Sequence, residues 1–362
     1  LQPVNPDEYH AQLTHKISQL REDFQTLQLP DIEVHESPPI HYRMRAEFRI
    51  WHEQQRAHYA MNHPGEKNTY IIEGFPAGSR LINTLMPPLL EAINASEVLS
   101  RRLFSAEFLT TLSGDALFTL IYHKPLDDEW QTAAHDLQAQ LGVPVIGRSR
   151  KQKIVLQRDS VQETLQVANR DYHYQQMESS FTQPNAEVNQ KMLNWALERS
   201  RGCGGDLLEL YCGNGNFTCV LAQQFERVLA TEISKLSVRS AEHNLNANQV
   251  DNVRIVRMSS EELTEALNGV RPFRRLRDID LQGYRFTTVF VDPPRAGLDE
   301  GTLRLTQRFD HIIYISCNPD TLRENLETLS DTHDINHFAV FDQFPYTQHL
   351  ECGVFLTKKV SV

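Results

Sequence analysis

Leu210-Tyr211-Cys212-Gly213-Asn214-Gly215-Asn216-Phe217-Thr218 reads as the end of a strand, a glycine turn and the start of a helix. Glu232 ends the next apolar run 19 residues after Gly213, the offset at which an acid receives ribose hydroxyls. Outward from this unit, strands at 206–212, 227–232, 253–257, 287–291 and 311–316 alternate with helices at 217–225, 235–248, 259–268 and 320–330. A helix over 186–200 precedes them, and strands at 335–342 and 352–358 close the chain. Strict alternation of this kind predicts an α/β domain of the Rossmann-like class, a doubly wound, mostly parallel sheet of seven strands.

A dinucleotide fold would want a third glycine where Thr218 stands. Its absence favours a nucleoside cofactor without a pyrophosphate, and S-adenosylmethionine fits. Asp292-Pro293-Pro294-Arg295 closes the strand 287–291, at the carboxyl edge where open α/β sheets keep their ligands. There Asp292 would accept hydrogen bonds from the methionine amine or the adenine edge. A helix N-cap is the plainer role for such an acid, and the two prolines argue against it. Tyr211, at the end of its strand, points toward the same ligand.

Ser316-Cys317-Asn318-Pro319 follows the β-branched run His311–Ile315 and sets a thiol on the same edge, which makes Cys317 the best nucleophile candidate in the chain. Free cysteine has a pKa of roughly 8.5, so an activating environment is required. The amides of the helix starting near Asp320 and the charge of Arg295 are expected to provide it. Cys203, Cys212, Cys219 and Cys352 read as structural.

The first half follows a different grammar. Residues 8–29 carry Leu13, Ile17, Leu20, Phe24 and Leu27 at near-helical spacing and predict a helix ended by Pro30. From Tyr42 to about Arg158, short alternating runs (45–51, 117–122, 153–156) and helical segments near 81–94 and 127–141 predict an α+β region with a mostly antiparallel sheet. The expected organisation is an N-terminal α+β domain over 1–178 and an α/β domain over 179–362.

The net charge is −11, and it is shared evenly, with −6 up to residue 180 and −5 beyond it. Global charge therefore argues mildly against nucleic acid. Local clusters argue the other way: Arg43, Arg45, Arg49 and Arg56; Arg148, Arg150, Lys151, Lys153 and Arg158; Arg271, Arg274, Arg275 and Arg277. Together they predict a confined anionic footprint. The five cysteines show no CxxC spacing, so no metal or iron–sulfur site is expected. With no membrane-length apolar run and no signal-like apolar stretch, a cytoplasmic protein is expected. A monomer is the default expectation, and no feature of the sequence fixes the oligomeric state.

SFTQPN (180–185), ELYCGNGNF (209–217), ATEI (230–233), FVDPPRAGLD (290–299), YISCNP (314–319) and DQFPYTQHLECG (342–353) together resemble the RNA uracil-5 methyltransferases. HYRMRAEFRIW (41–51) and YHKPLDDEW (122–130) are similar to the tRNA branch, and the likeness covers nearly the whole chain. Members acting on ribosomal RNA generally carry an N-terminal cysteine cluster, whereas no cysteine precedes Cys203 here.

The resemblance implies methyl transfer from S-adenosylmethionine to C5 of a T-loop uridine, position 54 of tRNA, giving ribothymidine. Transfer-messenger RNA, through its T-like loop, is implied as a further substrate. Cys317 would add to C6, and Glu351 would remove the C5 proton. Gln183, Tyr211, Asn216, Glu232 and Asp292 would line the cofactor pocket, Gln183 also facing the uracil edge. Arg49, Phe104, His123, Phe181 and Arg295 would hold the rearranged RNA loop around an extruded base.

Three rival readings stand beside this one. An exocyclic-amine methyltransferase would want an aromatic residue where Arg295 stands and needs no cysteine. An RNA-folding factor would bind tRNA with methylation secondary. A ribosomal-RNA uracil-5 methyltransferase would share the chemistry and differ in substrate.

Overall fold

The computed structural model describes residues 4–62 and 68–360. The chain divides into two compact units. One is built chiefly from Pro38–Thr164 and Gln175–Ala186, the other from Asp7–Ser37, Leu165–Tyr174 and the chain from Glu187 onward. This division differs from a single cut at 178/179, because the first helix and strand belong to the second unit. Helix α1 spans Tyr9–Asp23 and strand β1 spans Ile32–His35.

The predicted helix over 8–29 is shorter than expected. It stops at Asp23; Phe24, buried against Phe338 with ring centroids 5.6 Å apart, begins a turn, and Leu27 N donates to Phe24 O. The chain has to reverse there to enter β1.

The first unit holds a seven-stranded sheet of β2 (Arg45–Glu53), β3 (Arg56–Asn62), β4 (Thr69–Ile71), β5 (Leu103–Thr110), β6 (Ala116–Tyr122), β7 (Val145–Ser149) and β8 (Gln152–Val155). Its order is β4-β3-β2-β5-β6-β7-β8, antiparallel except for the β6–β7 pair. Helices α2 (Arg80–Ala95), α3 (Glu97–Ser100) and α4 (Asp128–Leu141) complete it. Period-2 burial along β2 turns Phe48 inward, where its ring meets Tyr59, Phe75 and Phe108 edge-on, and turns Arg49 outward. A hairpin of β9 (Ser160–Val167) and β10 (Arg170–Met177) is divided between the two units.

After α5 (Ala186–Ser200), the second unit runs β11 (Asp206–Leu210), α6 (Thr218–Leu221), β12 (Val228–Glu232), α7 (Lys235–Ala247), β13 (Val253–Arg257) and α8 (Ser260–Leu267). It continues with β14 (Phe286–Val291), α9 (Glu300–Thr306), β15 (His311–Ser316), α10 (Pro319–Leu329), β16 (His333–Phe341) and β17 (Glu351–Lys358). The sheet order is β1-β16-β17-β15-β14-β11-β12-β13. Seven of these strands are the expected ones, and β17 alone runs antiparallel to its neighbours. The eighth is β1, added parallel to β16 with Ile32 opposite Phe338. Strand order reverses between β11 and β14, so a crevice opens at their carboxyl ends.

Candidate active site

The turn after β11 is drawn tight by backbone bonds. Cys212 N donates to Thr231 O at 3.0 Å, and Gly215 N to Cys212 O at 2.9 Å. Tyr211 adopts φ 61°, a conformation that a bulky residue holds only when its surroundings impose it, and its hydroxyl lies 2.7 Å from Ser260 Oγ. Gly213 has φ 56° and open space where a Cβ would project, so its backbone is accessible from the crevice. Glu232 accepts from Gly213 N at 3.1 Å and Ser234 N at 2.7 Å, one bond to each oxygen, which leaves a lone pair on each for ribose hydroxyls. Asn216 spends its amide on a reciprocal pair with Asn189 of α5, both bonds 2.9 Å, and its carbonyl accepts from Tyr174 Oη.

Asp292 follows β14, half-buried, and accepts no hydrogen bond among the described residues; burial raises its carboxyl to about 7. One strand over, Cys317 follows β15 in a turn closed by Ser316, whose hydroxyl accepts from Asn318 N. Asn318 caps α10 and donates through Nδ2 to Arg295 O at 2.9 Å, and Thr321 Oγ1 reaches the same carbonyl at 3.2 Å. These two bonds hold the Asp292–Arg295 loop against the cysteine turn, with the Arg295 side chain exposed.

The antiparallel register brings the remaining group. Ile315 lies opposite Gly353 and Ser316 opposite Cys352, so Cys317 and Glu351 leave the β15–β17 ladder at the same edge. Glu351 is buried, and its side chain has no hydrogen-bond partner among the described residues. Burial, and then the field of Asp292, push its pKa well above the usual carboxylate range.

The half-buried Cys317 thiol is pushed up to about 11 by burial, Glu351 and Asp292, with Arg295 pulling weakly the other way. Burial and the two acids therefore outweigh the expected activation by α10 and Arg295. Two acids, the buried Glu351 and the half-buried Asp292, thus face a half-buried thiol and outweigh the single cation, Arg295. Cys212, Cys219 and Cys352 are buried and their thiols are raised by burial, in keeping with a structural role.

Sequence reasoning passed over Glu209. It sits inside β11 with all five residues buried; its Oε2 has no partner, and burial raises it to about 8. The signal was available, an acid set between leucines in a buried strand. Asn189, Asn318 and Thr321, which hold the cofactor turn and the cysteine turn, had no signal of their own.

The other predicted residues lie in the first unit. Gln183 has a buried Oε1 without a partner, an acceptor that awaits a donor. Phe181 is 72% exposed, far too open for a core residue. Phe104 and His123 stack at 4.2 Å, and the Arg49 guanidinium sits 5.9 Å from the Phe104 ring and 5.5 Å from that of Trp51.

The basic clusters divide into paired and unpaired members. Arg148 and Lys153 pair with Glu178, Arg158 with Asp115, Arg271 with Glu265 and Arg275 with Glu262. Burial lowers the pKa of Arg43 and Arg45. Among the described residues the exposed Arg49, Arg56, Arg150, Lys151 and Arg274 have no acid partner, while Arg277 pairs with Asp278, so the footprint is narrower than the sequence predicts. No group of three or more His, Cys, Asp or Glu side chains is arranged to hold a metal among the described residues, and no helix there is long and apolar enough to cross a membrane.

The open glycine turn, the acceptor pair on Glu232 and the unpartnered Asp292 fit S-adenosylmethionine. The fold is that of a Pyrococcus abyssi tRNA (uracil-54, C5)-methyltransferase solved with S-adenosyl-L-homocysteine, with a TM-score of 0.73 at 20% identity over 96% of this chain and 83% of that one. Fold and crevice together define a Rossmann-like class I methyltransferase that uses S-adenosylmethionine. Residues 8–359 match the family model for tRNA (Uracil-5-)-methyltransferase, and the chain belongs to that family. It is 60% identical over 351 residues to a tRNA/tmRNA (uracil-C(5))-methyltransferase of Cellvibrio japonicus (strain Ueda107), covering 97% of this chain and 96% of the relative. Identity is 53% to the protein of that name from Vibrio parahaemolyticus serotype O3:K6 (strain RIMD 2210633), over 98% of each chain.

Proposed function

We propose that this methyltransferase acts in the cytoplasm as a monomer on the T arm of tRNA, forming 5-methyluridine at position 54. The T-like loop of tmRNA is a further substrate. The observation that carries the chemistry is the shared edge of Cys317 and Glu351 in the β15–β17 register. A nucleophile and a base on one edge suit a reaction that must first activate a pyrimidine carbon and then remove its proton.

C5 of uracil is a weak nucleophile. Addition of the Cys317 thiolate to C6 moves the ring electrons into an enolate and makes C5 electron-rich. S-adenosylmethionine supplies an electrophilic methyl on a permanently cationic sulfur, and Gly213, Glu232 and Asp292 are the groups that would hold it. The Glu351 carboxylate then takes the C5 proton. The electron pair of that C–H bond restores the C5–C6 double bond and expels the Cys317 thiolate. A carboxylate with a raised pKa is a stronger base once ionised, which suits abstraction from carbon.

Arg49, Phe104, His123 and Phe181 would hold an unstacked loop, since an exposed ring pair beside a free guanidinium offers faces to bases and charge to phosphate. Incubating unmodified tRNA with S-adenosylmethionine and mapping added mass by nuclease fragments tests the reading. One methyl on C5 of the T-loop uridine is expected. A methyl on ribose, on an exocyclic amine or in another arm would reject it.

A further inference from the structure

Ahead of the catalytic Glu351 lies the nine-residue connection 342–350 between β16 and β17, and both of its ends converge on one side chain of α1. The Lys16 ammonium donates to Asp342 Oδ1 at 2.8 Å, to Phe344 O at 2.9 Å and to His349 O at 3.2 Å. A lysine has three N–H donors, so each has an acceptor here. Lys16 is 7% exposed and Asp342 fully buried, which makes this a dry clamp.

The same face of α1 adds further contacts at helical spacing. Gln12 Nε2 donates to Asp342 Oδ2 at 3.2 Å, Gln12 Oε1 accepts from Tyr346 N at 3.3 Å, and the Tyr9 ring meets the Tyr346 ring edge-on. Asp342 immediately follows Phe341, the register partner of Glu351, and His349 stands two residues before Glu351. Tyr346, at φ 59°, is held in a left-handed conformation within the loop.

We propose that Lys16 is a positioning residue for the proton-abstracting step: it ties the two ends of the 342–350 loop and so fixes where the Glu351 carboxylate meets the substrate. Lys16 touches no reacting atom. Its reach is through the loop backbone and Asp342. A buried lysine charge in the first helix is otherwise costly, because burial lowers its pKa and Asp342 only partly offsets this. The inference rests on the chemistry assigned to Cys317 and Glu351, and the test separates the two.

The full-length protein is incubated with unmodified tRNA and S-adenosylmethionine, and the fraction of SDS-stable protein–RNA adduct is measured beside kcat, KM for tRNA and the thermal midpoint. Glu351→Gln serves as reference, since it stops deprotonation and should accumulate the methylated adduct. Lys16→Met should lower kcat by about 10- to 100-fold, the scale of a displaced catalytic group, with KM changed far less and with the methylated adduct accumulating. Gln12→Leu, a milder cut in the same clamp, should do so to a smaller extent, and Lys16→Arg should restore part of kcat. If Glu351→Gln traps adduct while Lys16→Met and Gln12→Leu trap none, or lose activity only in proportion to folded protein, the positioning role is overturned. If Glu351→Gln itself traps none, the underlying chemistry fails instead.

Discussion

Burial, and then the fields of Glu351 and Asp292, push the Cys317 thiol up to about 11, and the acids themselves are raised by burial. Glu209 rises to about 8, Asp292 to about 7, and Glu351 well above its usual range. A stability consequence follows for Glu209. Unfolded, it titrates near 4.5; folded, near 8, so between those values the folded chain keeps a proton that the unfolded chain has lost. Its contribution is fully present below pH 4.5 and fades as pH rises through 8. Glu209→Gln should therefore flatten the fall in urea-unfolding stability over that window. Parallel curves for variant and wild type would contradict it. For Glu351→Gln, turnover should drop by about 10²–10⁴-fold, the usual worth of a general base, in steady-state methyl-transfer assays.

Residue-level chemistry was legible where a residue type had a position to match. Cys317 ended an apolar strand ahead of a helix, and Asp292 ended its neighbour. The thiol's raised pKa was not legible, since it depends on burial and then on Glu351, 34 positions away in sequence and brought near only by strand pairing.

At the scale of elements, β17 joins the proposed catalytic edge to the core. Gly353, two residues after Glu351, has no room for a side chain: a Cβ there would lie 2.9 Å from the Trp195 ring and 3.0 Å from that of Phe341. Gly353→Ala should cost about 1–3 kcal/mol by overpacking, read as a lower urea midpoint, and should depress kcat by shifting the start of β17. An unchanged midpoint would mean that the strand accommodates the methyl freely. The strand and helix periods predicted the alternating elements from residue 206 onward with ends off by a few residues. What escaped was short or recruited from afar. Helix α9 has seven residues, and β1 pairs with β16 across about 300 positions, a contact without a local pattern. Four residues before a Ser-Pro-Pro stretch do not announce a sheet edge.

Across the whole molecule, acidic charge dominates, so the proposed RNA contact falls to a few unpaired cations and exposed rings. Arg49 and Phe104 are the clearest, one over the face of the other. Arg49→Ala should weaken T-arm RNA binding and reduce the slope of log affinity against log salt by about one. Phe104→Ala should weaken it by about 1–3 kcal/mol, the worth of one stacked base, with the salt slope unchanged. Titrations of fluorescent T-arm RNA at several salt concentrations separate the two. The sequence overstated this surface because arginine clusters look alike whether they face water or, like Arg148 with Glu178, an acid of their own chain.

The covalent step at Cys317 is tested most directly with T-arm RNA carrying 5-fluorouridine at the target position. Fluorine replaces the proton that Glu351 would remove, so the ring can be attacked and methylated but not released. Intact mass spectrometry after incubation with S-adenosylmethionine should show protein plus RNA plus one methyl, with the bond mapped to Cys317 and absent from Cys317→Ala. Methyl transfer without an adduct, or an adduct on another residue, would contradict the mechanism.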